Sequence, residues 1–230
     1  IFNGGIGGDT AYDMNKRLDG DIFSKNPTVL MVTFGMNDSG YYEYNGDNAK
    51  EFGEQKYQES IKNFQQMEKR FKELPHTRIV MTGTSPYDET AQIKDNTVFK
   101  KKNETIKRII EYQRESAARN GWEFTDWNAP MVAINQELQQ KDPSFTLCGN
   151  DRIHPDNDGH MVMAYLFLKA QGFAGKDVAN MEINANKKQA VKAEGCTISN
   201  IKKIGKDISF DYLAEALPYP LDTIARGWGS

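Results

Sequence analysis

The chain has 230 residues, 38% hydrophobic and 11% aromatic, enough for one ordinary domain with a packed core and too apolar for wholesale disorder. Its net charge of −3 shows no basic excess, which argues against nucleic acid or an anionic membrane surface as the main partner. The longest apolar runs, 29–32 and 161–168, fall far short of the roughly 20 residues of a membrane span.

The first block is Asn3-Gly4-Gly5-Ile6-Gly7-Gly8-Asp9-Thr10. Its glycines permit positive φ and close approach to backbone amides, and Asp9 and Thr10 are helix-capping types, so the turn is expected to run into a helix over 12–18. A dinucleotide fingerprint would require glycine where Asn3 stands and a strand before it; a plain glycine turn is the bland alternative. Thr28–Phe34 (TVLMVTF), behind the turn pair Asn26-Pro27, reads as a strand buried on both faces. Tyr57, Ile61, Phe64, Met67, Phe71 and Leu74 form one apolar stripe of a long helix stopped by Pro75. Arg78–Gly83 is a second buried strand. A helix over 98–120 follows, with Phe99, Ile106, Ile109 and Ile110 inward and an Asn120-Gly121 stop. Residues 122–126 make a third strand, 129–140 a third helix and 157–171 a last helix. Alternating strands and helices imply βαβ units around a parallel sheet, whose reactive groups gather in the loops after the strands' carboxyl ends. From about Phe173 the texture changes to short alternating stretches between Lys- and Gly-rich turns, expected as antiparallel hairpins. The lysines at 100–102 and 187–188 read as solvated faces. Cys148 and Cys196 match no metal spacing or disulfide framework, and whether they pair stays open.

Two further segments carry chemistry. Gly35-Met36-Asn37-Asp38 follows the first strong strand, where the Asn37 carboxamide would project into the crevice as a donor that cannot titrate. A simple strand-ending turn is the alternative. Asp151-Arg152-Ile153-His154-Pro155 precedes the last helix. A carboxylate three residues before an imidazole can reach Nδ1 and leave Nε2 free as a base, although a structural Asp–His bond looks the same in sequence. Asp156, Asp158 and His160 lie close by, but a calcium loop fails because His154 and Tyr165 would occupy its first and last ligand positions. His154 and His160 lack the helical spacing of a zinc pair, and His160 and His76 read as surface residues. No metal or other cofactor is expected. Ser85, after the second strand, reads as a pocket or turn residue. Tyr41, Tyr42 and Tyr44 are candidates for an aromatic wall against a substrate, or for loop packing.

In this order the three segments resemble the SGNH (GDSL-like) hydrolase family, over roughly residues 1–172. The resemblance implies a flavodoxin-like three-layer α/β/α fold with a parallel sheet; the tail over 173–230, expected as a small β-rich extension, resembles no part of the family's core. It implies that Gly8 and Asn37 form an oxyanion hole, that His154 is the catalytic base and Asp151 its orienting acid; Tyr41, Tyr42 and Ser85 are substrate-site candidates from the residues themselves. The family's nucleophile block, a strand ending in Gly-Asp-Ser, does not occur within the 230 residues. In the family sheet that strand is central. Without it, backbone groups on two neighbours lie unpaired at about 1–3 kcal/mol each, so the nucleophilic serine is expected upstream of Ile1. The implied activity is cleavage of a small-molecule or carbohydrate ester, with short acyl groups favoured by the tyrosines and the lack of a large apolar lid. A non-catalytic glycan- or acyl-binding relative is the competing reading. Family habit gives an extracellular or periplasmic location.

Overall fold

The computed structural model describes residues 1–94 and 96–216. It divides into two units, one over Ile1–Gln171 and one from Gly172 onward.

The first unit begins with the glycine turn and α1 (Ala11–Arg17). Thr10 caps this helix: its backbone N–H and its hydroxyl both donate to the Asp13 carboxylate, at 3.2 and 2.6 Å. Strand β1 (Val29–Phe34) pairs in parallel with β2 (Arg78–Gly83), and β2 pairs in parallel with β3 (Glu123–Asp126), giving the order β1-β2-β3. Between them run α2 (Ala49–Phe71) and α3 (Lys102–Asn120); α4 (Asn128–Leu138) and α5 (Asn157–Ala170) follow β3. This is the three-layer α/β arrangement that strand–helix alternation demands.

The core explains the alternation. Leu30, Val32 and Phe34 of β1 meet Phe64, Met67 and Phe71 of α2, Ile109 and Ala117 of α3, and Ala11 of α1. Burying each of these larger side chains contributes about 1.5–3 kcal/mol. A separate cluster of Trp127, Met131 and Leu147 holds α4 against Val162, Met163 and Leu166 of α5, and the Trp127 indole N–H donates to the Met163 carbonyl at 3.1 Å.

Two expectations need correction. Strand β1 is not buried on both faces: Val29 and Met31 are 47% and 48% exposed, because their side borders an open groove. Helix α3 starts at Lys102 rather than 98. Lys101 takes φ +70°, which breaks the helix there and lets Phe99 stack on Tyr87, with ring centroids 5.7 Å apart.

In the second unit, β4 (Asn180–Asn184) pairs antiparallel with β5 (Gln189–Glu194), and β6 (Cys196–Ile204) with β7 (Asp207–Ala214). Cys148 and Cys196 are both buried free thiols.

Candidate active site

Gly8 sits at φ +87°, a conformation that strains any residue with a Cβ, and its backbone N–H has no acceptor among the described residues. The turn is held from behind, where the Arg17 Nε donates to the Asp9 carboxylate at 2.7 Å and its Nη1 to the Gly4 carbonyl at 2.7 Å.

The chain leaves β1 through Gly35 and turns over 36–40, with the Ser39 N–H donating to the Gly35 carbonyl and the Gly40 N–H to the Asn37 carbonyl. The Asn37 Nδ2 donates to the Asp9 carbonyl at 3.0 Å, which brings it beside the glycine turn. The Tyr41 hydroxyl donates to Asn37 Oδ1 at 2.6 Å. With its oxygen and one amide hydrogen engaged, the carboxamide retains one hydrogen for a ligand. Burial, with the charges of Asp151 and Asp38, pushes the Tyr41 phenol up to about 12, so it stays a donor at neutral pH.

Asp38, next to Asn37, is buried and welds the two loops together. Its Oδ1 accepts from the Ala11 N–H and the Ser60 hydroxyl, each at 3.0 Å, and its Oδ2 from the Gly35 N–H at 3.1 Å. Burial raises its proton affinity against these three donors.

The histidine loop is organised by Asp151. Its Oδ1 accepts the backbone N–H groups of Ile153 and His154, both at 2.9 Å, and its Oδ2 lies 2.5 Å from His154 Nδ1. Burial works against its ionisation, but the imidazole and the two amides outweigh it and hold the carboxyl below its usual range. A proton on Nδ1 then points at the carboxylate, leaving the Nε2 lone pair open on an imidazole whose side chain is 81% exposed.

Between these two residues, Arg152 turns inward at φ +70° and is fully buried. Its guanidinium donates to the carbonyls of Asp88 and Ala91, at 3.1 and 2.8 Å, and to the Asn96 side chain. Gly149 lies so close beneath the loop that a Cβ there would fall 2.4 Å from the His154 carbonyl. Ile153 packs in the same cluster as Met36, Tyr87 and Ile110, so the histidine and Asn37 loops share one apolar footing.

The other candidates divide. Tyr42 is exposed and meets Phe99 edge-on at 5.4 Å, as Tyr41 does at 6.0 Å. Tyr44 belongs to the core instead, where its hydroxyl bonds the Ser39 carbonyl and Thr105. Ser85 is buried, and His76 and His160 are exposed. Among the described residues no group of three or more His, Cys, Asp or Glu side chains is arranged to hold a metal ion. The lysine cluster at 100–102 is a correction: Lys100 and Lys101 are solvated, but Lys102 is fully buried behind the Asn37 loop. Arg152 and Lys102 were invisible to the sequence reading because nothing in a charged residue's own neighbourhood announces that it points inward.

Beside the site runs a groove of about 970 Å³. Residues 1–6 form one side, the whole of β1 through Asn37 the other, with Leu18, Ile22 and Phe167 also lining it. Strand β1 has no strand partner along this edge among the described residues.

The GDSL-like Lipase/Acylhydrolase family model matches residues 1–162. The chain belongs to this family of esterase-type hydrolases. Its fold is that of Axe2, an acetylxylan esterase from Geobacillus stearothermophilus, at 22% identity and a TM-score of 0.54 over 72% of this chain and 69% of the other. The acetyl xylan esterase AlAXEase matches at 22% identity and a TM-score of 0.53, over 72% of this chain and 78% of the other. No curated protein matches the chain.

Proposed function

We propose that this GDSL-family chain is the oxyanion-hole and acid–base part of a serine ester hydrolase acting on short acyl esters, acetylated carbohydrate above all. The observation that carries the reading is the meeting of Asn37 with the glycine turn, the Nδ2 bonded to the Asp9 carbonyl at 3.0 Å beside the unbonded Gly8 N–H. Two neutral donors on adjoining loops suit an oxygen that gains negative charge during reaction and needs no charge before it.

In this reading the nucleophilic serine ends a strand encoded upstream of Ile1 and seated parallel to β1 in the adjoining groove. The groove's apolar lining and the open edge of β1 support that seat. His154 Nε2 takes the proton from the serine hydroxyl as its oxygen attacks the ester carbonyl. Asp151 holds Nδ1–H and stabilises the imidazolium, and the Gly8 N–H and Asn37 Nδ2–H donate to the oxyanion. The imidazolium then returns the proton to the departing alcohol, leaving an acyl-serine. Water, deprotonated by the same Nε2, attacks the acyl carbonyl and releases the acid and the serine.

Exposed aromatic Tyr42 beside Tyr41 offers a flat surface to a sugar ring, and the acetylxylan specificity of the two structural relatives supports the same substrate class. A polymeric acetylated substrate goes with an extracellular or periplasmic location. The test is hydrolysis of chromogenic acetyl and palmitoyl esters by the full encoded chain, with and without a chelator. Turnover of the acetyl ester, unchanged by chelator and well above the palmitoyl rate, is expected. Absence of turnover by a folded chain carrying the upstream serine would leave only a binding role. A preference for the long chain would overturn the substrate class.

A further inference from the structure

Lys102 opens α3 with its side chain completely buried. Lysine is almost never found at this depth without compensation, since its ammonium is strongly hydrated in water. Here every ammonium hydrogen has an acceptor. The Nζ donates to the Met36 carbonyl at 2.7 Å, the Ser39 hydroxyl at 2.6 Å and the Gly40 carbonyl at 2.6 Å. Three ammonium hydrogens thus meet three acceptors, all in the five-residue turn that carries Asn37. The same Nζ lies 3.9 Å from the centroid of the Tyr41 ring, whose hydroxyl fixes Asn37 Oδ1 at 2.6 Å.

These contacts form one chain of restraint. The ammonium pins the turn on both sides of Asn37 and seats the Tyr41 ring, and Tyr41 shares with the Asp9 carbonyl the task of fixing which way the Asn37 carboxamide faces. Without the phenol bond the Asp9 carbonyl alone opposes a flip that would offer the amide oxygen to the crevice, where a developing oxyanion would be repelled. We propose that Lys102 is a positioning residue that, through the 36–40 turn and Tyr41, holds the Asn37 amide in its donating orientation. This role rests on the oxyanion function proposed for Asn37.

The clamp depends on charge, because a neutral amine keeps two hydrogens for three acceptors. Burial draws the Lys102 ammonium down to about 7, opposed by the carboxylates of Asp38 and Glu89; the other groups facing it are the Tyr41 ring and the Tyr87 ring, 5.8 Å away. Deprotonation above neutrality then loosens the turn without disturbing the His154–Asp151 pair.

The experiment compares the full encoded chain with Lys102→Met, Lys102→Arg and Tyr41→Phe. It measures kcat and KM for an acetyl ester from pH 6 to 9, thermal midpoints, and the Asn37 side-chain amide resonances by ¹⁵N NMR. Tyr41→Phe removes one hydroxyl and leaves the fold intact, so it tests the relay even if Lys102→Met folds poorly. The expected result is a roughly tenfold or larger fall in kcat for Lys102→Met and Tyr41→Phe, with KM within about twofold, as befits a contact felt only in the transition state. The alkaline decline in wild-type kcat should be absent in Lys102→Met, and absent also in Lys102→Arg, whose guanidinium stays charged over the whole range. The Asn37 amide resonances should move in both variants. Unmoved resonances in Tyr41→Phe and Lys102→Met would overturn the proposal, as would wild-type kcat in folded Tyr41→Phe. If the wild-type chain hydrolyses no ester, that failure falls on the enzymatic reading, and the Asn37 resonances still decide the clamp.

Discussion

The carboxylate of Asp38 accepts the backbone N–H of Ala11 at 3.0 Å, joining the start of α1 to the loop after β1 across 27 residues of sequence. Ala11 follows the glycine turn and Asp38 follows Asn37, so this bond, with that from Asn37 Nδ2 to the Asp9 carbonyl, sets the spacing between the two loops of the proposed oxyanion donors. Helix N-termini leave their first N–H groups unpaired, and a buried carboxylate from a neighbouring loop is a strong way to satisfy one.

Replacing that carboxylate should therefore cost stability. Asp38→Ala strands three buried donors, the Ala11 and Gly35 N–H groups and the Ser60 hydroxyl. Each unsatisfied group costs on the order of 1–3 kcal/mol, partly relieved by entering water, so a loss of about 2–4 kcal/mol is expected in denaturant unfolding. A loss under about 1 kcal/mol would mean that Asp38 does not tie these loops.

Asp151→Asn should leave the fold in place and cripple the imidazole. The carboxylate now accepts two backbone amides and faces Nδ1 at 2.5 Å; a carboxamide can present an N–H to Nδ1 and impose the wrong tautomer. A fall in kcat of roughly 10³–10⁴-fold is expected by analogy with serine hydrolase triads. Unchanged kcat would remove Asp151 from the site.

Stability should rise with pH above neutrality. The folded state holds the Lys102 ammonium near 7 against the ordinary 10.5. Between those values the unfolded chain binds the extra proton, so unfolding becomes harder as pH climbs, and below about 7 the cost of the buried charge is present in full. Urea unfolding at pH 6.5 and 9 should show this gain in the wild type and a smaller one in Lys102→Met. An identical slope in both proteins would contradict the assignment to Lys102.

Much of this architecture was legible in the residues. The β-branched run 28–34 and the stripe from Tyr57 to Phe71 announce β1 and α2 because their periods differ, and Asn37 sits in the loop after β1, where a parallel sheet collects its reactive groups. What remained hidden has a common physical cause. Lys102 and Arg152 are buried through bonds to carbonyls far away in sequence, and no local pattern encodes such partners. Tyr44 looked like its exposed neighbour Tyr42 until Thr105 and the Ser39 carbonyl met its hydroxyl. The open side of β1 was equally unreadable, since an apolar strand looks the same whether or not its groove is filled.

The most direct test is the turnover number of Asn37→Ala in the full encoded chain on a chromogenic acetyl ester. Loss of one oxyanion donor should lower kcat by roughly 10²–10³-fold, with the fold and the His154–Asp151 pair untouched. A folded Asn37→Ala protein that hydrolyses the ester at the wild-type rate would contradict the account.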